Sequence, residues 1–304
     1  MRDGSLPELT EVRIDIHSGS QGLSIAGWST EPGGRTPDVI WLHANGFNAL
    51  TYRNTLAPLA PSLSILAIDQ RGHGGTPQGK PAHGKRDALD MRDDLLGLLA
   101  VVSPGRPVIL AGHSLGGCIS LLAAAAAPAR VKALALFDPV ILSREVNARA
   151  MTADGSAASE SPLVAKARSR RRRFASREEA VLAYRGRAIF STWPEQALRD
   201  YVEAGFRDLP GGEVELACAP EWEAAIFAAH GHDMWDAMAR IEAPVRIWRA
   251  EHGSTCAIAE ASQFPRPARQ VEMVTVPGAT HFLPIERPEV VREALLEVVA
   301  LTPA

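Results

Sequence analysis

The stretch Gly112-His-Ser-Leu-Gly116 combines residue types that can support nucleophilic catalysis. An apolar run, Val108–Ala111, precedes it and an alanine-rich stretch, Leu121–Ala127, follows it, which predicts a buried strand, a tight turn and a helix. The two glycines leave the space that a close approach of strand and helix requires. Ser114 would then lie at a helix N-terminus, where backbone N–H groups favour negative charge. These features predict that Ser114 is a nucleophile.

A serine nucleophile needs a base, an acid that orients the base, and donors for a negatively charged oxygen. His281 is the candidate base, because it follows the apolar run Val271–Val276 in a short polar loop. One ring nitrogen would accept the Ser114 proton, and a carboxylate would hold the other.

The chain must supply elements that bring these residues together. Apolar runs predict strands at Val12–Ile16, Leu23–Trp28, Val39–Leu42, Leu63–Ile68, Val108–Ala111, Val131–Phe137, Val245–Ala250 and Val271–Val276. Helices are predicted between them at Thr51–Leu59, Lys85–Val102, Leu121–Ala127, Asp233–Arg240 and Pro288–Leu301. This alternation argues for a mostly parallel sheet covered on both faces, with reactive groups at the carboxyl ends of its strands.

The pattern changes between the sixth and seventh strands, where the sequence predicts helices and no strongly apolar strand. The predicted helices are Pro162–Phe174, Arg177–Arg185, Pro194–Phe206 and Glu221–Ala229. We expect a helical insertion carried on the α/β body.

Four motifs together resemble the α/β-hydrolase superfamily: His43-Ala-Asn-Gly-Phe47, Asp69-Gln-Arg-Gly-His-Gly74, Gly112-His-Ser-Leu-Gly-Gly117 and Gly278-Ala-Thr-His-Phe282. The resemblance implies an α/β-hydrolase fold with a mostly parallel eight-stranded sheet, helices on both faces and a helical cap after strand 6. Residues 1–142 and 233–304 would form the core, and residues 143–232 the cap. The family's motif around Asp69 is usually structural, so His73 is not assigned to catalysis.

The resemblance also implies an oxyanion hole. The turn after the third strand matches the family's pattern as His43-Ala44-Asn45-Gly46, which assigns the Asn45 N–H and the Leu115 N–H as donors. Ala44 stands where the family has glycine, which leaves the local backbone open. The Asn45 side-chain amide is a further candidate donor, and an asparagine that only forms the turn is the alternative.

The acid has two candidates. In the family it most often follows the seventh strand, but Gly253 stands at that position here. Asp138 ends the sixth strand, a known alternative site in the superfamily, and is our first choice. Glu251, two residues before Gly253, is the reserve. Structural roles remain open for both, as a cap or loop anchor for Asp138 and as a solvated charge for Glu251.

The composition limits the classes of partner. The 304 residues carry a formal net charge of −3, and no aromatic or basic nucleic-acid motif is present, so we expect no nucleic-acid binding. Three cysteines without metal spacing, and no apolar segment at the N-terminus, predict a cytoplasmic protein with free thiols and no membrane span. His230 and His232 do not share a helix face, so no metal site is predicted. The run Arg168–Arg173 is expected to form a solvated helical surface, with attraction of anionic partners as the alternative.

The predicted function is that of a carboxylesterase-like enzyme. It would hydrolyse an ester, or a related acyl bond, of a small apolar substrate without a cofactor or metal. A hydrolase that cleaves a C–C bond in a β-diketone-like ketone would use the same residues and is the first alternative. A ligand receptor that keeps the triad without fast turnover is the second, from a different class.

Overall fold

The computed structural model describes residues 7–18, 21–31, 35–79, 87–152, 161–229, 233–265 and 271–302. The strands are β1 Thr10–Ser18, β2 Gln21–Ser29, β3 Val39–Leu42, β4 Ile65–Ile68, β5 Val108–His113, β6 Val131–Phe137, β7 Arg173–Phe174, β8 Phe206–Asp208, β9 Val214–Leu216, β10 Val245–His252 and β11 Val271–Thr280. The α-helices are α1 Arg53–Leu56, α2 Asp87–Val102, α3 Leu115–Ala126, α4 Arg144–Thr152, α5 Pro162–Arg168, α6 Arg177–Tyr184, α7 Glu195–Gly205, α8 Pro220–Ala228, α9 Met234–Ala239, α10 Leu283–Glu286 and α11 Pro288–Leu301.

Eight strands form one twisted sheet in the order β1-β2-β4-β3-β5-β6-β10-β11. Strand β2 pairs antiparallel with both β1 and β4, and the other neighbours are parallel. Strands β3, β4 and β5 are buried along their whole length, which is why their sequences are continuously apolar. The predicted eight-stranded, mostly parallel sheet with helices on both faces is confirmed.

Helix α2 begins at Asp87, and the first two residues of the predicted helix, Lys85 and Arg86, lie outside the described residues. The predicted helix at Thr51–Leu59 is instead a 3-10 turn at Ala49–Tyr52, the short α1, and a second 3-10 turn at Ala57–Leu59. Each of these turns keeps an apolar face against the sheet.

The segment between β6 and β10 differs in two ways from the prediction of helices alone. Strands β7, β9 and β8 form a separate antiparallel sheet, in that order. Helix α5 also ends at Arg168, so the predicted helix through Phe174 is wrong in its second half. Strands of two or three residues are too short to show an alternating pattern in the sequence.

The segment between β6 and β10 shares its apolar core with the body of the protein. One cluster of buried side chains joins Trp41 and Phe137 of the large sheet to Phe190, Trp193 and Tyr201 of this segment. The segment is therefore packed onto the carboxyl-end side of β3, where the first of the predicted site loops begins. None of the helices in the described ranges is long and apolar enough to cross a membrane.

Candidate active site

Ser114 lies at the turn between β5 and α3 in a strained backbone conformation. Its φ is 55° and its ψ is −114°, in a region that side chains rarely adopt and that costs on the order of 1–3 kcal/mol. A Cβ on Gly112 would lie 2.5 Å from the Gly116 carbonyl carbon, and a Cβ on Gly116 would lie 2.2 Å from the Leu42 oxygen. Both glycines are thus needed for the tight turn and for the close approach of α3 to the end of β3.

His281 lies within hydrogen-bond distance of Ser114. It follows β11 directly, and its Nε2 is 3.0 Å from the Ser114 Oγ. The His281 side chain is 19% exposed, so solvent still reaches this part of the site. The base and the nucleophile predicted from the sequence are therefore neighbours.

Asp138 lies on the other side of the His281 ring. Its Oδ2 is 2.6 Å from His281 Nδ1, and its side chain is fully buried at 0% exposure. Because the carboxylate accepts, Nδ1 carries the proton and Nε2 is left to accept from the Ser114 hydroxyl. Asp138 itself has a φ of 45°, so the sixth strand ends in a second strained residue.

The loop after β10 surrounds the Asp138 carboxylate with donors. The Ala250 N–H and the Ser254 hydroxyl donate to Oδ1 at 2.8 and 2.5 Å, and the Thr255 N–H donates to Oδ2 at 3.0 Å. Burial alone would raise the pKa of Asp138. The hydrogen bonds from His281, Ser254 and Ala250 outweigh it and lower the pKa to about 2.

Glu251 is not brought to His281. Its Oε2 accepts a hydrogen bond from the Gly278 N–H at 2.8 Å and lies 3.4 Å from His252, and its side chain is 48% exposed. Of the two candidate carboxylates, only Asp138 contacts the histidine in the described structure.

The turn at residues 43–46, which follows β3, lies next to the start of α3. Gly116 packs on the Leu42 carbonyl, so this turn and the Leu115 N–H lie side by side. In the part of the chain that the structure describes, neither the Asn45 N–H nor the Leu115 N–H donates to a protein acceptor. Both predicted oxyanion donors are therefore available.

The Asn45 side chain has other partners. Its Nδ2 donates to the Glu223 carbonyl at 3.0 Å, and its Oδ1 lies 3.3 Å from His73 Nε2. His73 Nε2 also accepts the Gly46 N–H at 3.0 Å. The amide thus fastens the turn to helix α8, and His73 supports the turn, in keeping with its exclusion from catalysis.

The loop at residues 69–76 has the structural role expected for it. Asp69 accepts the Ala49 and Gly75 N–H groups at 2.7 and 2.8 Å. Arg71 forms a two-pronged pair with Asp94 at 2.5 and 2.8 Å. These bonds hold the loop that carries His73 beneath the turn.

The basic run is not a free cationic surface. Side chains of Arg170, Arg171, Arg172 and Arg173 each pair with a carboxylate, respectively Glu223, Glu179, Glu221 and Glu215. Within the described ranges, no group of three or more metal-binding side chains is assembled. His230 and His232 lie outside the described residues.

Reasoning from the sequence missed four residues that contact the site. Ser254 and Thr255 hold Asp138, and their signal was a Ser-Thr pair directly after Gly253, at the place where the family keeps its acid. Tyr52 and His113 contact each other at 2.8 Å beneath the site. His113 was visible beside Ser114, but no local pattern links Tyr52 to it.

Comparisons with known proteins place this geometry in a family. A model described as "Alpha/beta hydrolase family" matches residues 39–294. A 2-(acetamidomethylene)succinate hydrolase from Mesorhizobium japonicum is 30% identical over 266 residues, which cover 86% of this chain and 87% of that protein.

Solved structures agree in fold. An E-2-(acetamidomethylene)succinate hydrolase superposes with a TM-score of 0.72 at 23% identity, covering 96% of this chain and 100% of the other. A thermophilic esterase from Thermogutta terrifontis superposes with a TM-score of 0.66 at 19% identity, covering 97% and 100%. The family match, which spans both the strained serine turn and the His281 loop, shows that this chain belongs to the alpha/beta hydrolase family.

Proposed function

We propose that this protein is a serine hydrolase that cleaves a carboxylic ester, or a related acyl bond, of a small apolar substrate. The observation that carries the proposal is the line of hydrogen bonds from Ser114 through His281 to Asp138, at 3.0 and 2.6 Å. An ionised Asp138 keeps the proton on His281 Nδ1, so Nε2 is free to accept a proton from Ser114.

The reaction proceeds through an acyl-enzyme. Ser114 Oγ attacks the acyl carbon while His281 Nε2 takes its proton, and the N–H groups of Asn45 and Leu115 stabilise the oxyanion. His281 then protonates the leaving group. A water molecule, deprotonated by the same nitrogen, attacks the acyl carbon and releases the acid and free Ser114.

Aromatic side chains beside the catalytic residues support an apolar substrate. Phe47 follows the turn at residues 43–46, and Phe282 follows His281; their rings stack at 6.2 Å. Trp193, from the segment between β6 and β10, packs on Phe47 at 5.2 Å and on Phe282 at 6.1 Å. This arrangement supports the role predicted for residues 143–232, a cap that roofs the site with apolar surface.

An amide is a second candidate for the scissile bond. The relative at 30% identity is named for the hydrolysis of an acetamido compound, and an amide carbonyl is attacked by the same groups as an ester. Cleavage of a C–C bond next to a ketone would also use these groups.

Labelling with a fluorophosphonate probe tests the proposal. We expect the probe to label Ser114 in the folded wild-type protein and not to label Ser114→Ala. Ser120→Ala is a matched control, because Ser120 lies on the same helix with its hydroxyl bonded to the Gly116 carbonyl at 2.7 Å. It should be labelled as the wild type is. A folded wild-type protein that resists the probe would contradict the proposal and favour the receptor alternative.

Turnover measurements then separate the bonds. We expect p-nitrophenyl esters of short acyl chains to be hydrolysed, with Ser114→Ala and His281→Ala each reducing kcat by at least about 10⁴-fold, because the two groups act as a unit. p-Nitroanilides of the same acyl groups test amide cleavage, and a vinylogous β-diketone tests C–C cleavage. Hydrolysis of the diketone alone would replace the ester assignment with the C–C alternative.

A further inference from the structure

Two fully buried polar side chains beneath the site have no part in the mechanism above. Tyr52 ends the 3-10 turn at Ala49–Tyr52, and His113 is the last residue of β5, directly before Ser114. Both are 0% exposed. Buried groups of this kind must find partners, and the partners of these two lie on both sides of the site.

The chemistry of the partners determines where the protons are. His113 Nε2 lies 2.7 Å from the His281 carbonyl oxygen, which can only accept, so Nε2 carries a proton. Burial, followed by repulsion from His281, lowers the pKa of His113 to about 3, so the ring is neutral. Its Nδ1 is then an acceptor, and the Tyr52 hydroxyl, 2.8 Å away, donates to it.

The Tyr52 oxygen has a second partner. It accepts the Ala44 N–H at 3.1 Å. Ala44 immediately precedes Asn45, one of the proposed oxyanion donors. A chain of three hydrogen bonds, here called the Tyr52 relay, therefore runs from the Ala44 N–H through Tyr52 and His113 to the His281 carbonyl.

We propose that Tyr52 and His113 are positioning residues that fix the oxyanion turn at residues 43–46 relative to the base His281. The inference rests on the proposed function. Strands β3 and β11 are not neighbours in the sheet, so their loops have no backbone ladder between them. The relay bridges the gap through the end of β5, which lies beside β3 and carries the nucleophile.

The consequence concerns the transition state more than substrate binding. An oxyanion donor and a base act on atoms of one tetrahedral intermediate, and small errors in their spacing reduce the rate strongly. A looser spacing should therefore lower kcat while KM changes little. It should also weaken an inhibitor that imitates the oxyanion.

Tyr52→Phe is the test variant, because it keeps the ring packing and removes only the hydroxyl. We expect kcat for a p-nitrophenyl ester to fall by about 10- to 100-fold, with KM within about threefold of wild type. The affinity of phenylboronic acid, a tetrahedral mimic, should fall by a similar factor. Tyr184→Phe is the matched control: its ring stacks on Phe190 in the segment between β6 and β10, away from the relay.

Two further measurements separate positioning from a general loss of structure. His113→Gln keeps a donor toward the His281 carbonyl but loses the link to Tyr52, so Tyr52→Phe should add little in the double variant. Melting temperatures of both single variants, compared with Tyr184→Phe, report folding. Additive losses in the double variant would overturn the relay.

A readout without activity keeps this inference distinct from the proposed function. In ¹⁵N NMR of histidine-labelled protein, assigned with His113→Gln, His113 should carry its proton on Nε2 throughout pH 5–9. A proton on Nδ1, or a charged ring, would overturn the relay even in an active enzyme. An unreactive Ser114 with the expected tautomer would instead overturn the proposed function alone.

Discussion

At the scale of single residues, the carboxylate beside His281 is the most informative feature. Gly253 occupies the place where this family usually keeps its acid, and the residues that follow it, Ser254 and Thr255, donate to Asp138 instead. The loop after β10 therefore supports an acid supplied by the neighbouring strand β6. The low pKa of Asp138, about 2, is the electrostatic result of these donors and of His281.

Replacing each carboxylate by its amide discriminates between the two candidates. We expect Asp138→Asn to reduce kcat by about 10³- to 10⁴-fold, because the amide no longer holds the proton on His281 Nδ1. Glu251→Gln should leave kcat within about twofold, since exposed substitutions away from a site have small effects. Steady-state kinetics on a p-nitrophenyl ester give the comparison. The opposite order of losses would move the acid to Glu251.

At the scale of elements, helix α8 fastens the segment between β6 and β10 to the turn at residues 43–46. The Glu223 carbonyl accepts from Asn45, and its carboxylate pairs with the largely buried Arg170. Arg170 also donates to the Tyr201 hydroxyl at 2.6 Å, and the Trp222 indole donates to the Arg71 carbonyl at 3.1 Å. The basic run thus serves internal pairing rather than attraction of anions.

Breaking the Arg170–Glu223 pair tests this account of the segment. Arg170→Leu leaves a mostly buried carboxylate without its cation, so we expect it to reduce the free energy of unfolding by about 3 kcal/mol. The double variant Arg170→Leu/Glu223→Leu should recover most of that loss. The exposed pair of Arg172 with Glu221 is the control, and Arg172→Leu should cost less than about 1 kcal/mol in urea unfolding. Equal losses for the two single arginine variants would contradict a structural role specific to Arg170.

At the scale of the whole molecule, burial of neutral histidines under the site links stability to pH. Desolvation lowers the pKa of His43 well below its usual value, and lowers the pKa of His73 to about 4 and that of His113 to about 3. Asp69 works in the opposite direction, because burial raises its pKa to about 6.

These shifts predict loss of stability on mild acidification. Below the unfolded histidine pKa of about 6.5, the unfolded chain binds three protons that the folded chain does not, while folded Asp69 binds one that the unfolded chain does not. The net difference of about two protons should lower the free energy of unfolding by about 2.7 kcal/mol per pH unit between about pH 5.5 and 4.5. The stability is therefore fully present above about pH 6.5.

Urea unfolding at several pH values checks this slope. His73→Gln should reduce it by about one proton, because glutamine does not titrate. His17→Gln, at an exposed position of β1, is the control and should leave the slope unchanged. A free energy of unfolding that stays constant from pH 7 to pH 4.5 would contradict the assignment of neutral buried histidines.

Much of the fold could be predicted because it depends on patterns within single elements. Strands β3 and β6 and helix α11 have the bounds predicted from their apolar sequences. The small sheet of β7, β8 and β9 could not be predicted, because strands of two or three residues form through partners distant in the chain. The same holds for the end of helix α5 at Arg168, after which the arginines pair with distant carboxylates.

The sequence by itself determined the strained serine turn, because its requirement for Gly112 and Gly116 is a matter of local sterics. It also determined the class of sheet and the placement of His281 after the last strand. Only the tertiary structure decided which carboxylate lies beside His281, and which groups hold the turn at residues 43–46. Those contacts form where loops from different strands converge at one edge of the sheet, and no single stretch of sequence encodes their distances.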